Sequence, residues 1–206
     1  MNTIVKTTTE LYRVFDMLNE RYYDGQLPHP MITIQKSRAN SLGHFTLYKA
    51  WKKTEEKDGE ENSLYEININ PVNLNRPASG IVSTLHHEMV HYLNKLNDVK
   101  DCNGQKHNKK FKALAESVGL ICEKSDKYGW GFTTPDTELL SYIEDIIRPD
   151  PEAFEYFRVS SAKKEAKPRE KKTFEYRCPK CGLAVKAKIN KAIKCGSCNV
   201  DLIMEK

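Results

Sequence analysis

The chain lacks any run of about 18 consecutive apolar residues, the length a helix needs to cross a bilayer. Residues 1–9 also lack the apolar segment of a secretory signal peptide. No internal repeat is present. With 39% hydrophobic and 30% charged residues in 206 positions, the composition is typical of a soluble globular protein with one main core and a small accessory module. We therefore expect a cytoplasmic monomer without a membrane partner.

Basic residues are concentrated in the last quarter of the chain. Residues 161–206 contain 13 Lys and Arg against 5 Asp and Glu, whereas the first 160 residues contain 20 against 23. A basic region of this kind is commonly a solvated surface, and it also suits a phosphate backbone. DNA is therefore a candidate partner of the C-terminal region.

Four of the six cysteines form two C-x-x-C pairs, Cys178 with Cys181 and Cys195 with Cys198, separated by thirteen residues. In an intracellular protein this spacing predicts a four-thiolate structural zinc site rather than disulfides. We expect a zinc ribbon over 174–206, in the order cysteine pair, strand, strand, cysteine pair, strand. It is too small to bury a core, so the metal supplies the folding free energy. The remaining cysteines, at 102 and 122, are predicted to be inert thiols.

The segment 79–96 carries the chemistry of the chain. Its apolar residues recur at three- and four-residue spacing, which predicts a half-buried helix. His87 and His91 are four positions apart, so their imidazoles leave the same side of that helix, with Glu88 beside them. This H-E-x-x-H pattern offers two neutral imidazoles to a zinc ion and a carboxylate for the water that zinc polarises. The alternative is a pair of solvated surface histidines, but the apolar stripe lies roughly opposite them and favours a site.

His107 is the predicted third ligand. It opens a second predicted helix over 107–119 and lies on the same apolar stripe as Phe111 and Leu114. If that stripe packs on the central helix, His107 is carried toward His87 and His91. A histidine at the end of an apolar stripe is ordinarily buried and hydrogen-bonded, but beside H-E-x-x-H we favour ligation. Three protein ligands and one open position are the pattern of a catalytic zinc ion, so two zinc ions per chain are expected.

The rest of the pattern predicts an α+β domain. We expect helices over 9–23, with Thr8 or Thr9 as cap, and over 135–148, and strands over 31–35, 41–51 and 64–70. The segments 52–62, 71–77, 97–106 and 125–134 are interpreted as connections, and 159–173 as a charged linker without an apolar period. The histidines at 29 and 44 are predicted to be structural or surface residues, and His86 is predicted to pack on the apolar side or to make a supporting hydrogen bond.

The chain resembles the SprT-like zinc metalloproteases, a family that includes bacterial SprT proteins and eukaryotic Spartan. The matching residues are 23–28, 42–45, 65–71, 85–91, His107 with Phe111, and the four-cysteine ribbon. They cover nearly the whole chain. Two departures are visible: Asn108 stands where the family often has glycine, and the ribbon spacer is slightly short.

The resemblance implies a zincin-like metalloprotease domain over 1–158, a linker over 159–173 and a zinc ribbon over 174–206. It also implies that His87, His91 and His107 bind the catalytic zinc ion and that Glu88 is the general base. The activity implied is a zinc-dependent endopeptidase, and the substrates implied are DNA-bound or DNA-crosslinked proteins.

Several expectations about substrates remain open on the residues alone. Phe174 and Tyr176, near several lysines, could stack on bases or could equally be core aromatics of the ribbon. The strand over 65–70 is expected to offer its edge to an extended peptide. One alternative function is a non-catalytic nucleic-acid-binding protein on a zincin-like scaffold, against which the intact Glu88 argues. Another is a zinc hydrolase that acts on something other than internal peptide bonds.

Overall fold

The computed structural model describes residues 3–37, 41–54, 63–159, 173–188 and 192–205. The chain divides into two compact units, Met1–Ser160 and Ser161–Lys206. The first combines helices with small sheets and the second contains strands and a cysteine cluster, so the predicted α+β class is confirmed. Most of the predicted linker, residues 160–172, lies outside the described residues, and the predicted domain boundaries stay predictions. In the part of the chain that the structure describes, no helix could span a membrane.

The helices of the first unit are α1 Thr3–Tyr23, α2 Ala78–Leu96, α3 Lys109–Ser117 and α4 Thr137–Ser141. Short 3-10 helices cover Pro71–Asn73 and Pro151–Phe154, and α4 continues into a π-helix over Tyr142–Ile147. The strands are β1 Met31–Thr33, β2 Gly43–Phe45, β3 Trp51–Lys52, β4 Ser63–Leu64, β5 Glu66–Ile69, β6 Cys102–Asn103, β7 Lys106–His107, β8 Leu120–Ser125 and β9 Gly129–Pro135. They form a β1-β5-β2 sheet, a β3-β4 pair and a β6-β7-β9-β8 sheet.

Helix α1 begins six residues before the predicted start. Its apolar stripe, which includes Leu11, Phe15 and Leu18, is buried as the periodicity predicts. The predicted cap was wrong because Thr8 lies inside the helix and donates to the carbonyl of Ile4. The extra turns are held by a tertiary contact, since the Thr7 hydroxyl donates to the carbonyl of residue 153 at 2.6 Å.

Strand β5 is the middle strand of its sheet, parallel to β1 and antiparallel to β2. The prediction that this strand offers a free edge was therefore wrong: among the described residues, β1 and β2 are the edge strands of this sheet. The predicted single strand over 41–51 is also two short strands, since β3 leaves this sheet to pair with β4. Residues 55–62, most of the predicted loop 52–62, lie outside the described residues.

Helix α2 agrees with its prediction to within one residue and packs the buried Ile81, Leu85 and Met89 into the core. Helix α3 begins two residues later than predicted. Asn108 has extended backbone and caps the helix by accepting from the N–H groups of residues 110 and 111. The prediction that His107 is helical was therefore wrong: it lies in β7, just before the cap.

The segment 125–134 is not a connection. It contributes to a hairpin of β8 and β9, whose strands pair antiparallel. Glycine is typical of turns and loops, so the glycines at 129 and 131 indicated a loop rather than a strand. The hairpin also pairs with β7, through a parallel bridge between His107 and Gly129.

The helix predicted over 135–148 is observed as α4 and its π-helical continuation. Asp136 caps it by accepting from the N–H of Leu139. Leu139, Ile143 and Ile147 are buried, whereas Ile146 is exposed.

The second unit has strands β10 Phe174–Arg177, β11 Ala184–Ala187 and β12 Ile203–Met204 in the order β11-β10-β12. Its strand β10 precedes the first cysteine pair, which was predicted to come first. Tyr176 is buried in the small core of this unit with Leu202, and Phe174 packs against that core. The role of Tyr176 in stacking on bases was therefore wrong, and the core interpretation holds.

Candidate metal centre

Helix α2 presents His87 and His91 on one side, one turn apart. Their ring centroids are 5.1 Å apart and both residues are half-buried. The arrangement follows from helix geometry, because residues four apart share a face. The apolar residues of α2 occupy the other faces, in the core.

His107 approaches the pair from β7. Its Nε2 atom lies 3.2 Å from Nε2 of His87 and 3.0 Å from Nε2 of His91. The three histidines form one of the groups whose ligand atoms all lie within 4.8 Å of one another. The structure thus brings together the three residues that the sequence singled out, although the third arrives on a strand rather than a helix.

Each imidazole has an oxygen partner at its other nitrogen. Nδ1 of His87 lies 2.8 Å from the hydroxyl of Thr133, Nδ1 of His91 lies 2.6 Å from a carboxylate oxygen of Asp101, and Nδ1 of His107 lies 3.2 Å from the carbonyl of Tyr128. A carbonyl oxygen can only accept, so Nδ1 of His107 carries the proton. An ionised carboxylate also accepts, which places the proton of a neutral His91 on Nδ1. The facing Nε2 atoms of His91 and His107 then carry lone pairs.

The electrostatics keep the rings of His87 and His107 neutral and the carboxylate of Asp101 charged. Burial, with the neighbouring histidines, lowers the pKa of His87 well below its usual value and that of His107 to about 4. Burial opposes ionisation of Asp101, but hydrogen bonds from His91 and Asn94 outweigh it and lower the pKa of the carboxyl. Neutral imidazoles that each donate through Nδ1 are the usual state of metal-ligating histidines.

These residues fit a zinc ion. Two lone pairs 3.0 Å apart repel each other unless a cation lies between them. Tetrahedral zinc with Zn–N distances of about 2.0–2.1 Å requires nitrogens about 3.3 Å apart. The observed separations of 3.0 and 3.2 Å are close to that value. The donor set is compatible with zinc, and three ligands leave a fourth position for another group.

Glu88 lies beside the histidines and is 6% exposed. Burial raises the pKa of its carboxyl to about 7, although His91 and the backbone N–H of Phe45, which donates to the carboxylate, lower it. Strand β2 passes close to this carboxylate. A Cβ added at Gly43 would lie 3.2 Å from Oε1 of Glu88 and 2.9 Å from the carbonyl of Asn68. The carboxylate is therefore held between α2 and the edge strand.

Phe111 of α3 supports the three rings from the core side. It is fully buried, and its ring centroid lies 4.8, 4.7 and 4.5 Å from those of His87, His91 and His107. The predicted packing of the α3 stripe on α2 is thus observed.

The other histidines lie outside this group. His86 is fully buried, its Nε2 lies 2.9 Å from the carbonyl of Val118, and burial lowers its pKa to about 4. Its predicted packing role is confirmed. His29 lies 2.6 Å from Asp16, and His44 is exposed on β2.

The four predicted ribbon ligands, Cys178, Cys181, Cys195 and Cys198, form a second group with all sulfurs within 4.8 Å. The sulfurs of Cys181 and Cys195 are 3.6 Å apart. Hydrogen bonds, first from the backbone N–H of residue 181, lower the pKa of Cys178 to about 6 and favour its thiolate, whereas hydrogen bonds with the neighbouring cysteines raise the pKa of Cys198. Four such sulfurs suit a closed, structural zinc site.

The two remaining cysteines stay protonated at neutral pH. Burial, with the nearby Asp101, raises the pKa of Cys102 to about 12, and burial raises that of Cys122 to about 11. A high thiol pKa agrees with their predicted inertness.

Sequence reasoning missed the outer partners of the histidines. Asp101 lies in a polar stretch after α2 that was interpreted as a loop, and Thr133 lies in the segment interpreted as a connection. For Thr133, the alternation of apolar and small residues from Trp130 to Thr133 could have indicated a strand, but the glycines obscured it.

The family model described as the SprT-like family matches residues 11–127. The matched stretch runs from α1 to the end of β8, so it contains the three histidines, Glu88 and Asp101, and it ends before β9 and the four cysteines. No curated protein matches the chain, and no solved structure does.

Proposed function

The chain belongs to the SprT-like family, whose model spans more than half of it, and from this premise we propose that it is a zinc-dependent endopeptidase. Membership of this family makes the matched region a metalloprotease-like domain. The zincin-like fold of that domain, the hydrolysis of peptide bonds and the identity of the substrate are parts of the proposal.

The observation that carries the proposal is the convergence of three imidazole nitrogens beside a buried carboxylate. His87, His91 and His107 would hold the zinc ion. When bound, zinc would polarise a water molecule and the carbonyl of the scissile bond. Ligands from the chain occupy three positions, so the fourth is available to the reactants.

Glu88 is the proposed general base. A carboxyl whose pKa lies at about 7 can both accept and release a proton near neutral pH. It would take a proton from the attacking water and pass it to the leaving amine. The N–H of Phe45 supports this role, because it orients the carboxylate without neutralising it.

The edge strand β2 is the proposed seat of the substrate backbone. Leu42 and Thr46 direct their backbone groups to β5, since N–H of Asn70 donates to Leu42 and N–H of Thr46 donates to Glu66. In an antiparallel strand the alternate residues, Gly43 and Phe45, face the other way, where the N–H of Phe45 already donates to Glu88. An extended peptide added there would run past Glu88, which favours a polypeptide over a small amide or ester.

DNA is the second part of the proposal, as a partner of the C-terminal unit. Support comes from its excess of basic residues and from exposed lysines, among them Lys180, Lys186, Lys188 and Lys194. Charge contacts alone predict binding without sequence preference that weakens steeply as salt rises. DNA-bound proteins would then be the substrates brought to the protease.

The decisive experiment compares the wild type with Glu88→Gln and with the control Glu144→Gln, which changes an exposed glutamate. An unfolded protein substrate is offered with and without single-stranded DNA. We expect Glu88→Gln to lose about 10²–10⁴-fold in cleavage rate while two zinc ions stay bound, because the proton transfer is lost and the ligands are kept. The control should cleave like the wild type.

The outcomes separate the competing functions. Cleavage that persists in Glu88→Gln would remove that residue from its role. Salt-sensitive DNA binding without cleavage by the wild type would favour a non-catalytic scaffold. Turnover of small amides or esters without any cleavage of proteins would favour another kind of zinc hydrolase.

A further inference from the structure

Two glycines of β9 lie against His107. Gly129 has a φ of 61° and pairs with His107, and a Cβ there would lie 2.2 Å from the His107 carbonyl. Gly131 lies against the imidazole itself: a Cβ there would lie 2.4 Å from Nδ1 and 2.7 Å from Cε1. Real Cβ atoms essentially never approach other atoms to under 3.0 Å. Strand β9 thus comes closer to this imidazole than any residue with a side chain would allow.

The imidazole of His107 is confined on its other sides as well. Its Nδ1 donates to the carbonyl of Tyr128, which also accepts from the backbone N–H of His107 at 2.9 Å. The ring of Phe111 packs edge-on with a centroid separation of 4.5 Å. The ring therefore cannot move away from β9 without losing contacts that aim its Nε2 at the other two histidines.

We propose that Gly131 is a positioning residue for the third metal ligand. Because it lacks a side chain, β9 can hold the His107 imidazole where its Nε2 meets those of His87 and His91. This inference rests on the zinc centre proposed above. Residue 131 lies beyond the stretch 11–127 that the family model matches.

The size of the clash shows how strongly a side chain at position 131 would disturb His107. An alanine methyl at 131 would have to move from 2.4 Å to an ordinary contact of at least 3.4 Å from Nδ1, so ring and strand must separate by about 1 Å. Metal–ligand distances tolerate deviations of about 0.2 Å. A single methyl group at this position therefore displaces the ring or the strand by several times that tolerance.

The backbone conformation of residue 131 does not require glycine. Gly131 is not among the residues with positive φ, whereas Gly129 is. Alanine can adopt the backbone of residue 131, so Gly131→Ala tests space alone, while a substitution at 129 would add backbone strain. The test therefore uses position 131.

The first measurement is zinc affinity in the full chain, by competition with a chelating indicator. We expect Gly131→Ala to weaken the histidine site by about tenfold or more, the range seen when support of a ligand is lost, and to leave the four-cysteine site unchanged. The step lost in His107→Ala identifies the histidine site. The matched control is Gly80→Ala in α2, where the nearest atom to an added Cβ is 3.9 Å away. Wild-type affinity in Gly131→Ala would overturn the proposal.

The second measurement is urea unfolding of the zinc-free protein, which does not depend on peptidase activity. Gly131→Ala should lower the unfolding midpoint when His107 is present. It should cause a much smaller shift in His107→Ala, because the imidazole atoms at 2.4 and 2.7 Å are then gone and only the carbonyl of Tyr128, at 3.1 Å, stays close to the methyl. If Gly131→Ala folds only in that background, the coupling is shown directly.

An equal shift in both backgrounds would refute the proposal, since Gly131 would then act through the backbone. A chain that fails to cleave proteins yet passes both tests would refute the endopeptidase and keep the positioning role.

Discussion

The carboxylate of Asp101 offers the sharpest test of how the candidate metal centre is supported. It accepts from Nδ1 of His91 at 2.6 Å and from the side-chain amide of Asn94 at 3.2 Å, and it is 6% exposed. A carboxylate in this place fixes the orientation of the ring and makes Nε2 a stronger donor to a metal. Its removal should therefore weaken zinc binding, although Asp101 is no part of the proposed ligand set.

Two independent arguments give the same magnitude for the loss of zinc affinity. Loss of an outer partner of a metal-ligating histidine typically costs about 10–100-fold in metal affinity, or about 1.4–2.8 kcal/mol. A hydrogen bond to a charged group contributes about 1.5–3 kcal/mol, and the short contact between two largely buried groups belongs in that range. We expect Asp101→Ala near the hundredfold end, since it removes the acceptor. Asp101→Asn should lie near tenfold, since its amide keeps an acceptor oxygen without the charge.

The assay is competition with a chelating indicator on the full chain, which resolves the histidine site from the four-cysteine site. Asp98→Asn is the matched control. Asp98 is exposed in the same loop with a φ of 52°, a conformation that asparagine tolerates. It should bind zinc like the wild type. If Asp101→Ala holds zinc at the histidine site within a factor of about two of the wild type, the reasoning about the outer shell is wrong.

Further predictions concern packing, capping and metal content. Phe111→Ala should cost about 3–5 kcal/mol in urea unfolding, because it removes a fully buried ring against three imidazoles; a loss below about 1 kcal/mol would contradict that packing. Asn108→Ala should cost about 1 kcal/mol and Asn108→Gly only a few tenths, and equal losses would deny the cap. Cys178→Ser should reduce the zinc content measured by elemental analysis from two ions per chain to one, and an unchanged content would exclude the ribbon site.

The central helix shows what local pattern predicts well. The three-and-four spacing of its apolar residues reports which side faces the core, and this depends on residues within a turn or two. For the same reason the common side of His87 and His91 was predictable. The start of α1 was not, because its first turns are held by a contact from Thr7 to residue 153, far along the chain.

The structure places His107 beside His87 and His91 as predicted, but the reason given for that placement was partly wrong. The apolar periodicity placed His107 on a helix. Asn108, however, has extended backbone, so α3 begins only after it. It reaches the pair because β7 joins the hairpin of β8 and β9. That pairing depends on residues more than twenty positions away, which no periodicity within 107–119 contains.

The edge of the sheet was mispredicted for a similar reason. The alternation over 64–70 correctly indicated a strand, yet a strand's own residues do not say how many neighbours it has. Long-range pairing with β1 and β2 made β5 the middle strand and left β2 beside Glu88. In β9 the glycines looked like loop residues, because glycine is costly in a strand unless another group must come close.

The sequence by itself determined the kinds of candidate ligand and their placement along α2, because helix geometry converts a spacing of four into a shared face. It also determined that the paired cysteines lie together in one small group, because their spacing along the chain is short. Only the tertiary structure decided how the third imidazole arrives, which oxygens hold the three rings and which strand passes over the carboxylate. Those features arise from contacts between residues distant in the chain, where packing of the whole unit, rather than any local preference, selects the partner.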